Sequence, residues 1–137
     1  MNLSVLKATA IGLALAFIAA AAPAFAHHSV AMFDNSKTVT LKGTVKEFAW
    51  VNPHVLIWVD AVTDNGDKPQ LWAVELASPG VLTRNGWTKR SLNPGDKVSV
   101  DVGPLRDGKP GGFFKKVTLA DTGQVLTYSL QPQEKPE

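Results

Sequence analysis

From Lys37 onward the chain alternates between polar and apolar residues. In "KTVTLKGTVKEFAWV", Val39, Leu41, Gly43 and Val45 alternate with Thr38, Thr40, Lys42 and Thr44. That period of two is the mark of a strand with one face against a core. The strand is long, and Gly43 in its middle predicts a bend or bulge. "NPH" interrupts the pattern, and "VLIWVDAV" resumes it as a second strand, closed by the turn-rich "TDNGDKP". "QLWAVELA" reads as a third, so the first three strands form a meander.

The pattern then breaks once. In "SPGVLTRNGW", Ser78 is a capping residue, Pro79 suits the first helical position and Gly86 can close the C-terminus. A helix of about two turns is predicted, with Val81 and Leu82 facing inward. "LNPGDKVSVDVGPL" is a turn feeding a fourth strand, "RDGKPGG" a loop, and "FFKKVTLADTGQVL" a fifth strand ending in a small hairpin. This order predicts an all-β fold with one short helix, a small five-stranded OB-like Greek-key barrel. A β-sandwich is the competing architecture, but five or six strands make a thin one.

Ahead of the pattern, "MNLSVLK" carries Lys7, "ATAIGLALAFIAAAA" is continuously apolar and "APAFA" supplies small residues before His27. These are the three parts of a cleaved secretory signal. The expected organisation is therefore a signal over residues 1–26, a barrel domain over 27–127 and a disordered polar tail over 128–137. A cut after Ala24, leaving Phe25 first, is the alternative. No stretch after residue 26 is apolar enough to span a bilayer, so the periplasm is the expected compartment, without membrane insertion. The formal charge of +2 drops by one when Lys7 leaves, too little for a nucleic-acid-binding field. With no cysteine, core packing must hold the fold, and thiolate metal sites and thiol nucleophiles are excluded.

The histidines are His27, His28 and His54. After cleavage at Ala26, His27 offers its amine and ring Nδ1 to one metal ion, closing a chelate. His54, in the turn "VNPHV", is the natural distant third nitrogen, and His28 a local auxiliary. Amine and imidazole donors with open positions suit copper, which also heads the divalent affinity order. The plain alternative is a polar residue at a cleavage site and a turn histidine bonded to a strand-end carbonyl. Met32, Asp34 and Glu75 could add a thioether or an oxygen but read first as structural or surface residues. Trp50, Trp58, Trp72 and Trp87 read as core and rim packing, with an aromatic face for sugar rings or bases as the functional alternative. No paired carboxylates, nucleophile elbow or phosphate loop is evident. The chain therefore reads as a non-enzymatic copper-binding protein for storage, delivery or tolerance. The other reading is a metal-free module presenting a barrel face to a small ligand or a periplasmic protein.

Taken together, "HHSVAMFD", "GTVKEFAWVNPHVLIWV", "WAVELASPGVLTRNGW" and "LNPGDKVSVDVGPLRDGKPGG" resemble a group of small exported proteobacterial proteins of unknown function. The resemblance runs from His27 to about Leu126 and implies a periplasmic barrel-like domain, with no catalytic residues to carry over. A more distant similarity, in strand order alone, is to periplasmic bacterial OB-fold proteins and implies small-ligand or stress-related binding.

Overall fold

The computed structural model describes residues 31–66 and 68–130. Six strands and one short helix follow in the order β1 (Val39–Ala49), β2 (Leu56–Thr63), β3 (Gln70–Glu75), α1 (Pro79–Arg84), β4 (Lys97–Pro104), β5 (Gly111–Leu119) and β6 (Val125–Leu126). Neighbours run β3-β2-β1-β4-β5-β6, and a further β3–β5 pairing closes the first five strands into a barrel. Every pairing is antiparallel except the parallel β3–β5 closure. The protein is a small OB-like barrel, as its strand order predicts.

The alternation works as expected. Leu41 and Val45 of β1, Ile57 and Val59 of β2, Val74 of β3, and Val100 and Val102 of β4 point inward and are fully buried. Gly43 does not itself bulge. It stands in register opposite Ala61 on β2 and Val98 on β4. The β1 bulge falls at Lys46, between the Val45–Val59 and Glu47–Trp58 pairs. The extra residue sends Glu47 outward and Phe48 back toward the core.

A second bulge, on β5 between the partners of Asp101 and Val102, leaves Lys115 unpaired in the ladder. Its ammonium group donates to the Lys37 carbonyl at 2.6 Å, the Asn35 carbonyl at 3.2 Å and Thr38 Oγ1 at 2.8 Å. Lys115 thereby ties down the chain that enters β1. Further back, the Asp34 amide donates to the Pro104 carbonyl at 2.8 Å, and Phe33 forms a bridge with Leu105. Gly103 permits this crossing, since a Cβ there would lie 2.6 Å from Asn35 Oδ1. Phe33 is 4% exposed and packs on Phe113 with ring centroids 5.6 Å apart.

Helix α1 is built as predicted. Ser78 Oγ accepts from the Val81 amide, Pro79 opens the helix, and Asn85 is the C-cap, followed by Gly86 at φ +85°. Leu82, Trp87 and Leu92 behind it are buried in the core. Trp87 meets Phe114 edge-on at 5.5 Å and donates from Nε1 to the Thr127 carbonyl at 2.8 Å.

The barrel continues past residue 127. Tyr128 stacks on Phe114 at 5.5 Å, and its hydroxyl accepts from the Ala77 amide at 3.0 Å. Asn85 holds the backbone of Ser129 through both its amide and its carbonyl group. A polar, proline-containing composition hides this latch, because one aromatic residue carries it. Residues 131–137, and the signal expected over 1–26, lie outside the described residues.

Burial, with the Glu75 carboxylate adding to it, pushes the Tyr128 phenol up from 10.0 to about 12, against the opposing effect of the Ala77 amide bond. A value raised on folding contributes stability that is complete below the ordinary phenol range and is lost as pH rises through about 12. Tyr128→Phe should therefore have a melting temperature that falls less steeply than the parent's between pH 10 and 12. At neutral pH it should be less stable by about 1 kcal/mol, because the Ala77 amide loses its partner. Parallel alkaline curves for the two proteins would show that the hydroxyl is not coupled to folding.

Candidate functional site: a histidine–carboxylate pair at one end of the barrel

The loop between β1 and β2 carries "VNPH", with Val51, Asn52 and Pro53 exposed and a cis peptide bond between Asn52 and Pro53. The backbone is fixed again immediately afterwards. The Val55 amide donates to the Ala77 carbonyl at 3.0 Å, and the Leu76 amide to the Val55 carbonyl at 2.8 Å. His54 is thus the last residue of a turn whose next residue is clamped and fully buried.

Its ring is clamped as well. His54 Nδ1 lies 2.8 Å from Glu75 Oε1 and 3.0 Å from the Leu76 carbonyl oxygen. Both partners are acceptors, so Nδ1 carries the hydrogen. In the neutral ring the lone pair then resides on Nε2. The His54 side chain is 39% exposed and that of Glu75 22%. A histidine whose one nitrogen is bonded to a carboxylate and whose other nitrogen is left with its lone pair has the arrangement common among metal-ligating imidazoles. The same carboxylate orients the ring.

Glu75 reaches this position through strand register. Leu56 pairs with Glu75 across β2–β3, so the outward side chain at the end of β3 sits beside the residue that follows the turn. On its other side Glu75 pairs in parallel with Phe113, the residue on which Phe33 packs. The incoming chain at Phe33 therefore lies over the strand next to Glu75.

Of the expected metal ligands, the structure describes His54; His27 and His28 lie outside the described residues. Among the described residues no three histidine, aspartate or glutamate side chains gather into a metal cage. Met32 is exposed. Asp34 is engaged elsewhere, accepting from Ser36 Oγ at 2.6 Å and facing Lys37 at 3.4 Å and Arg106 at 3.8 Å. The Ser36 hydrogen bond is the largest of the effects holding its carboxyl below the usual carboxylate value. Glu75, read from the sequence as a minor oxygen donor, is instead the residue that orients His54. The signal for it is the β3 alternation, which turns Glu75 outward at the strand end nearest the histidine turn.

The tryptophans differ in where they face. Trp87 and Trp72 are core residues, 2% and 8% exposed. Trp50 packs at the rim, edge-on to Phe48 at 5.7 Å. Trp58 faces outward from β2 and lines a surface groove.

Fold and site together define a small OB-like barrel whose first inter-strand loop presents an oriented imidazole. Residues 15–115 match the model of a family of unknown function, DUF6152. The chain belongs to that family. No curated protein and no solved structure matches it.

Proposed function

We propose that this is an exported, periplasmic copper-binding protein, serving storage, delivery or tolerance. The copper is held by the processed amino terminus at His27 together with His54, and His28 is auxiliary. The observation that carries the reading is the hydrogen bonding of His54. Nδ1 is committed to Glu75 and Leu76, so Nε2 is the nitrogen offered to a metal. A free terminal His27 supplies an amine and a second imidazole, completing a nitrogen set suited to copper.

Chain length permits the approach. Phe33 packs on Phe113, and Phe113 pairs with Glu75, so the chain enters the barrel beside the strand that neighbours the pair. The six residue steps from His27 to Phe33 span up to about 20 Å when extended. Closing a loop of that length costs little more than closing a shorter one.

The test is a copper titration of the processed chain under a competing chelator. His54→Ala should weaken binding at least about tenfold, or roughly 1.4 kcal/mol. Glu75→Gln, which keeps the ligand but loses the charged acceptor behind it, should weaken it about tenfold. His28→Ala should have a smaller effect. Equal affinity in the parent and His54→Ala would remove the copper reading. It would leave a metal-free module that presents a barrel face to a ligand or partner.

A further inference from the structure

The outer face of β2 and β3 carries a second feature, separate from the histidine pair. Trp58 and Asp60 point outward from β2. Glu47 stands opposite Trp58 on β1, and Leu71 opposite Asp60 on β3. With Lys46, the bulge residue, they line an open groove of about 610 Å³. Leu71 is 51% exposed, an apolar side chain that the barrel itself leaves uncovered. The residue opposite Trp58 on β3 is the small Ala73, which leaves room beside the indole.

The charges in the groove are uncommitted. Among the described residues, the side chains of Lys46, Glu47 and Asp60 form no hydrogen bond or ion pair, unlike those of the neighbouring Lys42 and Asp64, which pair at 3.3 Å. The groove therefore combines a flat aromatic surface and an exposed aliphatic side chain with two free acceptors and one free donor. Two carboxylates repel a phosphate backbone, which needs cationic partners. A polycation would find partners in the two carboxylates but leave the ammonium group at the bulge facing a like charge. A neutral ligand with apolar ring faces and many hydroxyl groups meets all of these side chains at once. Its C–H faces cover Trp58 and Leu71, while its hydroxyls donate to Glu47 and Asp60 and accept from Lys46. The strand 2–3 face is also where OB barrels take up linear ligands, oligosaccharides among them.

We infer that the β2–β3 face is a binding groove for a neutral oligosaccharide, with Trp58 as its stacking platform. The inference uses none of the proposed copper ligands, so each reading stands or falls alone.

Isothermal calorimetry on the processed chain tests it, with cellohexaose, maltohexaose and N-acetylchitohexaose as probes and a thymidine dodecamer and hexalysine as comparisons. At least one hexasaccharide should bind saturably. Trp58→Ala should weaken that binding at least roughly tenfold, as expected for a central aromatic anchor. Asp60→Asn should weaken it less, and Trp58→Phe, which keeps a ring, should retain most of it. His54→Ala should bind the sugar like the parent. Circular dichroism checks that each variant is folded; should Trp58→Ala not fold, Leu71→Ala at the exposed edge serves in its place, with a several-fold loss expected. The inference is overturned if no hexasaccharide binds, if binding is indifferent to these groove substitutions, or if only the dodecamer or hexalysine binds through Trp58.

Discussion

Gly43→Ala is expected to destabilise the barrel by about 3 kcal/mol or more, at the upper end of the cost of overpacking a tight site. A β-carbon at residue 43 would fall on the carbonyl oxygen of Asp60 and lie 2.6 Å from Ala61 Cα. Both obstacles belong to β2, whose backbone cannot yield as a flexible side chain can. Nor can β1 withdraw, because Gly43 pairs with Ala61 on one side and with Val98 on the other. Backing away from β2 would drive β1 into β4. The loss is a large part of the 5–15 kcal/mol that holds a typical domain folded. Urea denaturation of parent and variant measures it directly, and coincident midpoints would mean that β1 and β2 have slack at this crossing. Gly108→Ala is a suitable comparison. That glycine, at φ +78°, meets no atom within 4 Å of its missing Cβ, so only backbone strain in an exposed loop is added, about 1 kcal/mol.

The contrast between Gly43 and Lys46 separates what local residue pattern discloses about the fold from what it hides. A glycine inside a strand pattern signals that something unusual happens nearby, and here that is a close strand crossing. The bulge three residues later has no residue-type signature. Lys46 is an ordinary exposed lysine, and only the spacing from Val45 to Phe48 betrays the skipped position. Strand existence, the helix cap at Ser78 and the strand order are legible because each rests on local pattern. Barrel closure through the parallel β3–β5 pair is non-local, and follows from the sequence only by way of the OB-like order.

The site divides along the same line. His54 stands out because histidine is scarce and the turn around it is marked by Asn52 and Pro53. Its partner Glu75 is 21 positions away and meets it only because β2 and β3 pair with Leu56 opposite Glu75. Tyr128 is a further case: its docking depends on Phe114, Trp87 and the Ala77 amide, which are distant in the chain. Its own neighbourhood looks like a tail. The groove at Trp58 is half legible, since four tryptophans raise the question of an aromatic face, but the alternation alone does not say which of them looks outward.

Extending the processed chain by a single residue ahead of His27 is expected to weaken copper binding about a hundredfold or more, roughly 2.7 kcal/mol. The extension leaves every side chain in place. It converts the terminal amine of His27 into an amide nitrogen, which donates to a metal only after losing its proton, and it opens the chelate that the neutral amine and Nδ1 close together. His54→Ala removes one nitrogen donor; the extension removes one donor and the ring that fixes another, so its effect should be the larger. Competition against a chelator of known affinity measures both, and intact-mass analysis of the protein purified from its native host establishes whether His27 is its first residue. A start at Phe25 would itself bury the amine of His27 in the chain and end the proposal. If the extended and parent chains bind equally while His54→Ala binds less, His54 acts with ligands other than the terminus. Only a loss in both variants, greater in the extended chain, supports a copper site that joins the new amino terminus to the oriented imidazole at the barrel's end.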